Sequence, residues 1–252
     1  MENKIEKFIR SYWKTLLFFA IVGLVGGFFT GLYLLDGYPA EIREEIYAKG
    51  LNDVLVGVIT ALQSAGYGLV LGAIGILLAK NLGLWRDERS ITRKPLIYAL
   101  IVSVIGGLTL ILSDVLFFGK YSEVIADSYT VKPTIPYLLA TVTYGAVIEE
   151  VMLRLFWMSL VAFILKKVFK KEENAIFVVA NVIAALLFAA GHLPATVLMI
   201  GTAPMIIFRC FLLNGGLGLL FGWLYRKYGL RYAMIAHGGC HIVSKLIWIL
   251  FI

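Results

Sequence analysis

Residues 145–154, Gly-Ala-Val-Ile-Glu149-Glu150-Val-Met-Leu-Arg154, set two adjacent carboxylates and a guanidinium inside an apolar stretch. Two further apolar stretches carry all three histidines of the chain, Phe188-Ala-Ala-Gly-His192-Leu-Pro194 and His237-Gly-Gly-Cys-His241. An acid or base at the centre of a membrane helix costs about 2.5–3.5 kcal/mol, so such residues mark a functional site and must face a protein interior or a wet cavity. Glu150 and Arg154 are four residues apart, share a helix face and can pair. Glu149 lies about 100° round a 3.6-residue helix from Glu150 and is left without that cation. One glutamate is then structural and the other is free for general-base work. The same pair, taken alone, equally fits a packing motif that fastens two helices.

The histidines add a second set of donors and acceptors. His192 comes just before Leu193-Pro194, and proline disfavours helix in the residue ahead of it, so His192 is expected where its helix ends or kinks. His237 and His241 project from one face of the last helix, and Lys245 continues that stripe. Gly238 and Gly239 leave room there for a neighbouring helix. Histidines at this spacing can hold a metal, although no glutamate stands beside the first of them.

The elements that must position these groups are membrane helices. The 252 residues are 60% hydrophobic and 15% charged, against roughly 45–50% and 25% in soluble domains. Runs of about 20 apolar residues recur along the chain. They predict an all-α, polytopic transmembrane helix bundle, read as one membrane domain over 1–252, with spans at 15–35, 54–79, 96–117, 136–165, 175–199, 206–226 and 231–252. Pro204 and Arg209 interrupt the apolar stretch 193–226, so eight spans are the alternative to seven; in the seven-span reading 193–205 is a bend or re-entrant piece. The net charge of +7 is a topology signal and not a nucleic-acid footprint. Lys4, Lys7, Arg10 and Lys14 precede the first span, and Lys80, Arg86, Arg89, Arg93 and Lys94 follow the second. Lys166, Lys167, Lys170 and Lys171 follow the fourth, and Arg226, Lys227 and Arg231 join the last two. Basic loops stay cytoplasmic, which puts the amino terminus inside. The first apolar run reads as a retained helix, and Cys210 and Cys240 as buried free thiols.

Glu149-Glu150-x3-Arg154, Phe188-x3-His192 and His237-x3-His241, in that order on separate helices, resemble the CPBP (CAAX protease and bacteriocin-processing, or Abi) intramembrane proteases. That family includes the Ras-converting CAAX prenyl endopeptidase. The resemblance covers roughly residues 136–245 and extends to the segment Arg209-x4-Asn214-Gly-Gly. It implies that Glu149 activates the attacking water, that His192 positions this water or stabilises the oxyanion, and that His237 adds a polar contact at the water. Glu150, Arg154 and Asn214 would support the site. The family's last motif ends in Asn or Asp where this chain has His241, whose imidazole can donate a hydrogen bond as an amide can. The family is also called metalloprotease, and Glu149, His192, His237 and His241 are ligand types for zinc, so a divalent metal is a candidate cofactor.

The implied function is an intramembrane endopeptidase acting on a membrane-associated peptide or lipidated protein, in the cell membrane of a prokaryote. The alternatives are a non-proteolytic immunity or regulatory protein and a transporter using the same residues as a proton relay. The transporter is weakened by the lack of paired, Gly/Pro-broken helices in two matching halves. Seven spans predict that a reporter fused after Ile252 lies outside the cytoplasm and one in the 166–174 loop lies inside. Finding both inside would establish an even number of crossings.

Overall fold

The computed structural model of the chain describes residues 3–86, 90–169 and 173–252, so Arg89, Lys170 and Lys171 of the expected basic loops lie outside the described residues. Helix α1 (Lys4–Gly37) starts at a capping box, in which the Asn3 backbone N–H donates to Glu6 while the Asn3 side chain accepts from the first turn. A short α2 (Ala40–Ala48) follows, and α3 (Asp53–Asn81) is capped by the Asn52 side chain. Helices α4 (Arg93–Leu116) and α5 (Glu123–Ser128) lead to α6 (Ile135–Ala140), which starts on the Thr134 hydroxyl. Helix α6 runs on through two π-helical stretches, Thr141–Glu149 and Val151–Met158, into α7 (Ser159–Val168). Helix α8 (Glu173–Met199) comes next, then α9 (Pro204–Cys210), a π-helical stretch Phe211–Gly215, and α10 (Gly216–Tyr228). Gly229, at φ +104°, turns the chain directly into α11 (Leu230–Phe251), a backbone angle that L side chains rarely adopt.

This is an all-α, multi-pass membrane bundle. Among the described residues six helices, Lys4–Gly37, Asp53–Asn81, Arg93–Tyr121, Glu173–Met199, Pro204–Tyr228 and Leu230–Phe251, are long and apolar enough to cross a membrane. The helical run 135–168, which equals α1 in length and carries Glu149, Glu150 and Arg154, is not among them. Each of the seven expected spans lies within one of these seven runs, the last passing its helix end by one residue, while α1 begins eleven residues before the span expected there. The alternative of two short crossings within 193–226 is replaced by one helix over 204–228. The bend expected over 193–205 shrinks to residues 200–203, with Gly201 at φ +122°. His192 accordingly lies inside α8 and not at its end. Pro194 is tolerated there because it removes only the one N–H that would reach the carbonyl four residues back.

The outward faces carry exposed Leu62, Ile105, Leu186 and Leu250, as a lipid-facing surface requires. Between helices the contacts rest on small residues. Gly23, Gly27 and Gly31 recur every four residues along α1, and a Cβ on Gly27 would fall on the Ser64 side chain and the Thr60 carbonyl of α3. On the other side of α1, a Cβ on Gly26 would meet Thr143 and Tyr144 of the π-helical run, and one on Gly75 of α3 would meet Leu155. Helices α1 and α3 thereby form a wall behind the residues that could do chemistry. Gly238 faces Ala146 and Gly239 faces Ser103 of α4, as their lack of side chains allows. Cys210 and Cys240 are buried and free. Arg209 is satisfied by Asp114 of α4, whose carboxylate accepts from both Nε and Nη2 and from the Tyr129 hydroxyl at 2.8 Å.

Overpacking a close helix contact costs about 1–3 kcal/mol. Gly27→Ala is therefore expected to lower the melting temperature in detergent. Gly66→Ala, where an added Cβ meets nothing within 4 Å, should leave it unchanged or slightly raised. Equal effects at both positions would contradict the tight α1–α3 seam.

Candidate active site

The π-helical run, α8 and α11 bring Glu149, Glu150, Arg154, His192 and His237 together. Glu150 and Arg154 are sealed, with side chains 0% and 1% exposed, and their Oε1–Nη1 separation is 3.3 Å. Arg154 Nη2 donates to the Gly218 carbonyl of α10 at 3.0 Å, and the guanidinium lies over the rings of Phe188 and Phe221 at 4.6 and 5.5 Å. A buried cation is thus met by a carboxylate, a carbonyl and two aromatic faces. The pairing expected from the four-residue spacing is present.

Glu150 also holds His237. Its Oε1 lies 2.9 Å from His237 Nδ1, and the imidazole stacks on Phe221 at 4.6 Å with 16° between the ring planes. A carboxylate paired with Arg154 only accepts, so Nδ1 carries the proton and Nε2 of the neutral ring is bare. That Nε2 lies 3.8 Å from Glu149 Oε2. Adjacent glutamates therefore both reach one ring, one at each nitrogen, which the wedge between neighbouring helical positions did not suggest.

His192 repeats the pattern from α8. Its Nδ1 is 2.9 Å from the Phe188 carbonyl, which can only accept, so Nδ1 is again the donor and Nε2 faces Glu149 Oε1 at 3.9 Å. The Glu149 side chain is 17% exposed and that of His192 35%, against 5% for His237. Exposure separates the two glutamates as their spacing from Arg154 suggests: Glu149 is partly exposed and Glu150 is closed off. Two bare imidazole nitrogens and a carboxylate oxygen pair enclose a space in which one water could give both of its hydrogens.

His241 stands one turn beyond His237, with ring centroids 5.1 Å apart. Its Nε2 is directed at Gly145 of the π-helical run. A Cβ on Gly145 would sit 3.5 Å from His241 Nε2 and 3.8 Å from His237 Nε2. Gly145 is therefore a site residue that the sequence reading passed over, although its place four residues before Glu149 was a signal. Asn214 is not brought to the cluster. Its amide nitrogen donates to the Cys210 carbonyl at 2.9 Å, within its own helix, and no described contact joins it to Glu149 or a histidine.

Zinc ligands at about 2.0–2.1 Å in a tetrahedron stand about 3.4 Å from one another. The separations here are 3.8 and 3.9 Å, and among the described residues no group of three or more His, Cys, Asp or Glu side chains is placed to hold a metal ion. As placed, these donors stand somewhat wider apart than zinc ligands do, and no step below is routed through a metal.

Residues 131–243 match the family model described as type II CAAX prenyl endopeptidase Rce1-like. No curated protein and no solved structure matches the chain.

Removing one partner of a buried ion pair costs about 3–5 kcal/mol, because the other charge is left uncompensated. Arg154→Met is expected to lower the melting temperature accordingly. The double variant Glu150→Gln/Arg154→Met, which leaves no lone charge, should recover much of the loss. A melting temperature unmoved by Arg154→Met would show that the pair contributes nothing.

Proposed function

We propose, on the match of residues 131–243 to the Rce1-like type II CAAX prenyl endopeptidase model, that the chain is an intramembrane endopeptidase that hydrolyses a peptide bond with a glutamate-activated water. The substrate class is a membrane-associated peptide or a lipidated protein. The observation that carries the reading is the partly exposed Glu149, flanked at 3.8 and 3.9 Å by the bare Nε2 atoms of His237 and His192.

A water in that space gives one hydrogen to Glu149 and the other to an imidazole nitrogen, which leaves an oxygen lone pair free for the substrate. Glu149 takes the proton as the oxygen–carbon bond forms. The resulting oxyanion needs a donor, and His192 and His237, whose Nδ1 atoms face their own acceptors, turn Nε2 to the water, so that task falls to His241. Collapse of the tetrahedral species breaks the carbon–nitrogen bond, and the proton held by Glu149 passes to the leaving amine. Glu150 and Arg154 do not touch the reacting atoms; they hold the His237 ring and fix its tautomer. Bilayer-facing helices around the cavity keep bulk water out, so the polar contacts inside act in surroundings of low dielectric. In this reading the amino terminus lies in the cytoplasm, which the excess of Lys and Arg in the loops on that side supports.

Glu149→Gln keeps the shape of the side chain and removes the base. Purified Glu149→Gln protein should show no cleavage of a prenylated or membrane-inserted reporter peptide, with its melting temperature near that of the wild type. Normal turnover by this variant would remove Glu149 from the mechanism. Inactivation of the wild type by a chelator would reassign the same donors to a metal.

A further inference from the structure

Lys245 is buried, 6% exposed, in the middle of an apolar helix, and no carboxylate pairs with it among the described residues. The cleavage steps above give it no task. An uncompensated ammonium in a membrane bundle is expensive and calls for a reason. Its described neighbours are few. Nζ lies 4.2 Å from the centroid of the Tyr137 ring, which is itself stacked on Tyr33 at 4.5 Å, and 3.4 Å from Nδ1 of His241. The aromatic face accommodates a cation. The remaining polar contact is the imidazole.

We propose that Lys245 is a positioning residue that fixes the tautomer of His241, holding its proton on Nε2 so that this nitrogen donates to the oxyanion at Gly145. In its charged form Lys245 carries only donors, so the nitrogen it addresses must then accept. Nδ1 of His241 is then bare and Nε2–H is the donor. That is the reverse of His192 and His237, whose Nδ1 atoms donate to the Phe188 carbonyl and to Glu150. The three rings are thereby sorted by their outer partners, a carbonyl and a carboxylate making two water acceptors and an ammonium making one donor. An amide at position 241 would present a donor without such help, whereas an imidazole must have its proton assigned. The i,i+4 spacing of His241 and Lys245 on α11 supplies that assignment from within one helix.

The inference rests on the proposed reading of His241 as oxyanion donor, and its test has one arm that needs no activity. The chain has three histidines, so protein labelled with ¹⁵N-histidine gives three ring systems, assignable through His192, His237 and His241 variants. In the wild type at neutral pH, His241 should show an unprotonated Nδ1 and a protonated Nε2, opposite to the other two. In Lys245→Met, which keeps the apolar stem, the His241 signals should move to a mixture of tautomers or to Nδ1–H, with the other two rings unchanged. A wild-type His241 protonated on Nδ1, or a tautomer indifferent to Lys245→Met, would overturn the proposal. The second arm is cleavage. Lys245→Met should lower kcat with KM unchanged, by up to the roughly 10²–10³ of a lost oxyanion donor. In a His241→Asn background the same substitution should cost nothing further. An equal loss in both backgrounds, or an inactive His241→Asn, would count against the role given to Lys245. If the wild type cleaves no peptide, the protease reading fails, and the tautomer spectrum still decides whether Lys245 governs His241.

Discussion

The guanidinium of Arg154 is a full charge with 1% of its side chain exposed, inside a bundle whose outer faces meet lipid. Its surroundings organise much of the structure. Glu150 answers it from the same helix, the Gly218 carbonyl from α10, and Phe188 and Phe221 from α8 and α10. Each of these then acts on the site. Glu150 orients His237, Phe221 stacks on the same ring, and Phe188 offers its carbonyl to His192 and its ring edge to both imidazoles. Gly218 lets α10 come close enough to donate its carbonyl, since a Cβ there would stand 3.1 Å from Arg154 Nη2 and 3.2 Å from Ala185. Desolvating the pair is costly, and what it secures is a single arrangement of three helices around the open carboxylate.

That division of labour explains why adjacent glutamates have different fates. Glu150 points inward to a cation and an imidazole Nδ1; Glu149, partly exposed, points to the Nε2 atoms of His192 and His237. Neighbouring backbone positions thus become a sealed anion and an accessible carboxylate. The first helices take part without contributing a functional group. Gly26 and Gly75 bring α1 and α3 against the backbone of the π-helical run, so the reactive segment is braced from behind by surfaces that hold no side chain to shift.

Much of this was legible in the sequence. Apolar run lengths placed the seven helical segments, and the four-residue spacing of Glu150 and Arg154 predicted their pairing. The order of the Glu-Glu and histidine motifs pointed to the cluster. Other features were not legible, for physical reasons. Pro194 reads as a break, yet within a bundle a helix survives the loss of one donor. That Glu150 also holds His237 depends on α11, far away in the chain. Asn214 shares a segment with the motif but spends its amide on its own helix. Asp114 and Arg209 are opposite charges in separate spans; only the folded bundle brings them together. The partner of His237 Nδ1 is a carboxylate 87 residues away in the chain, which no spacing rule supplies.

The two π-helical stretches flank Glu150 and together cover nearly all of 141–158. Their hydrogen bonds reach one residue farther than those of an α-helix, so each turn accommodates more chain. Gly145, Glu149, Glu150 and Arg154 are read out in that wider register. Loss of one codon here would let a turn close to α and swing the downstream residues off their partners, while a gain would do the reverse. Loops such as 200–203 can lengthen or shorten with little consequence. Over evolutionary time the run 141–158 should therefore accept exchanges of side chain but keep its length fixed to the residue.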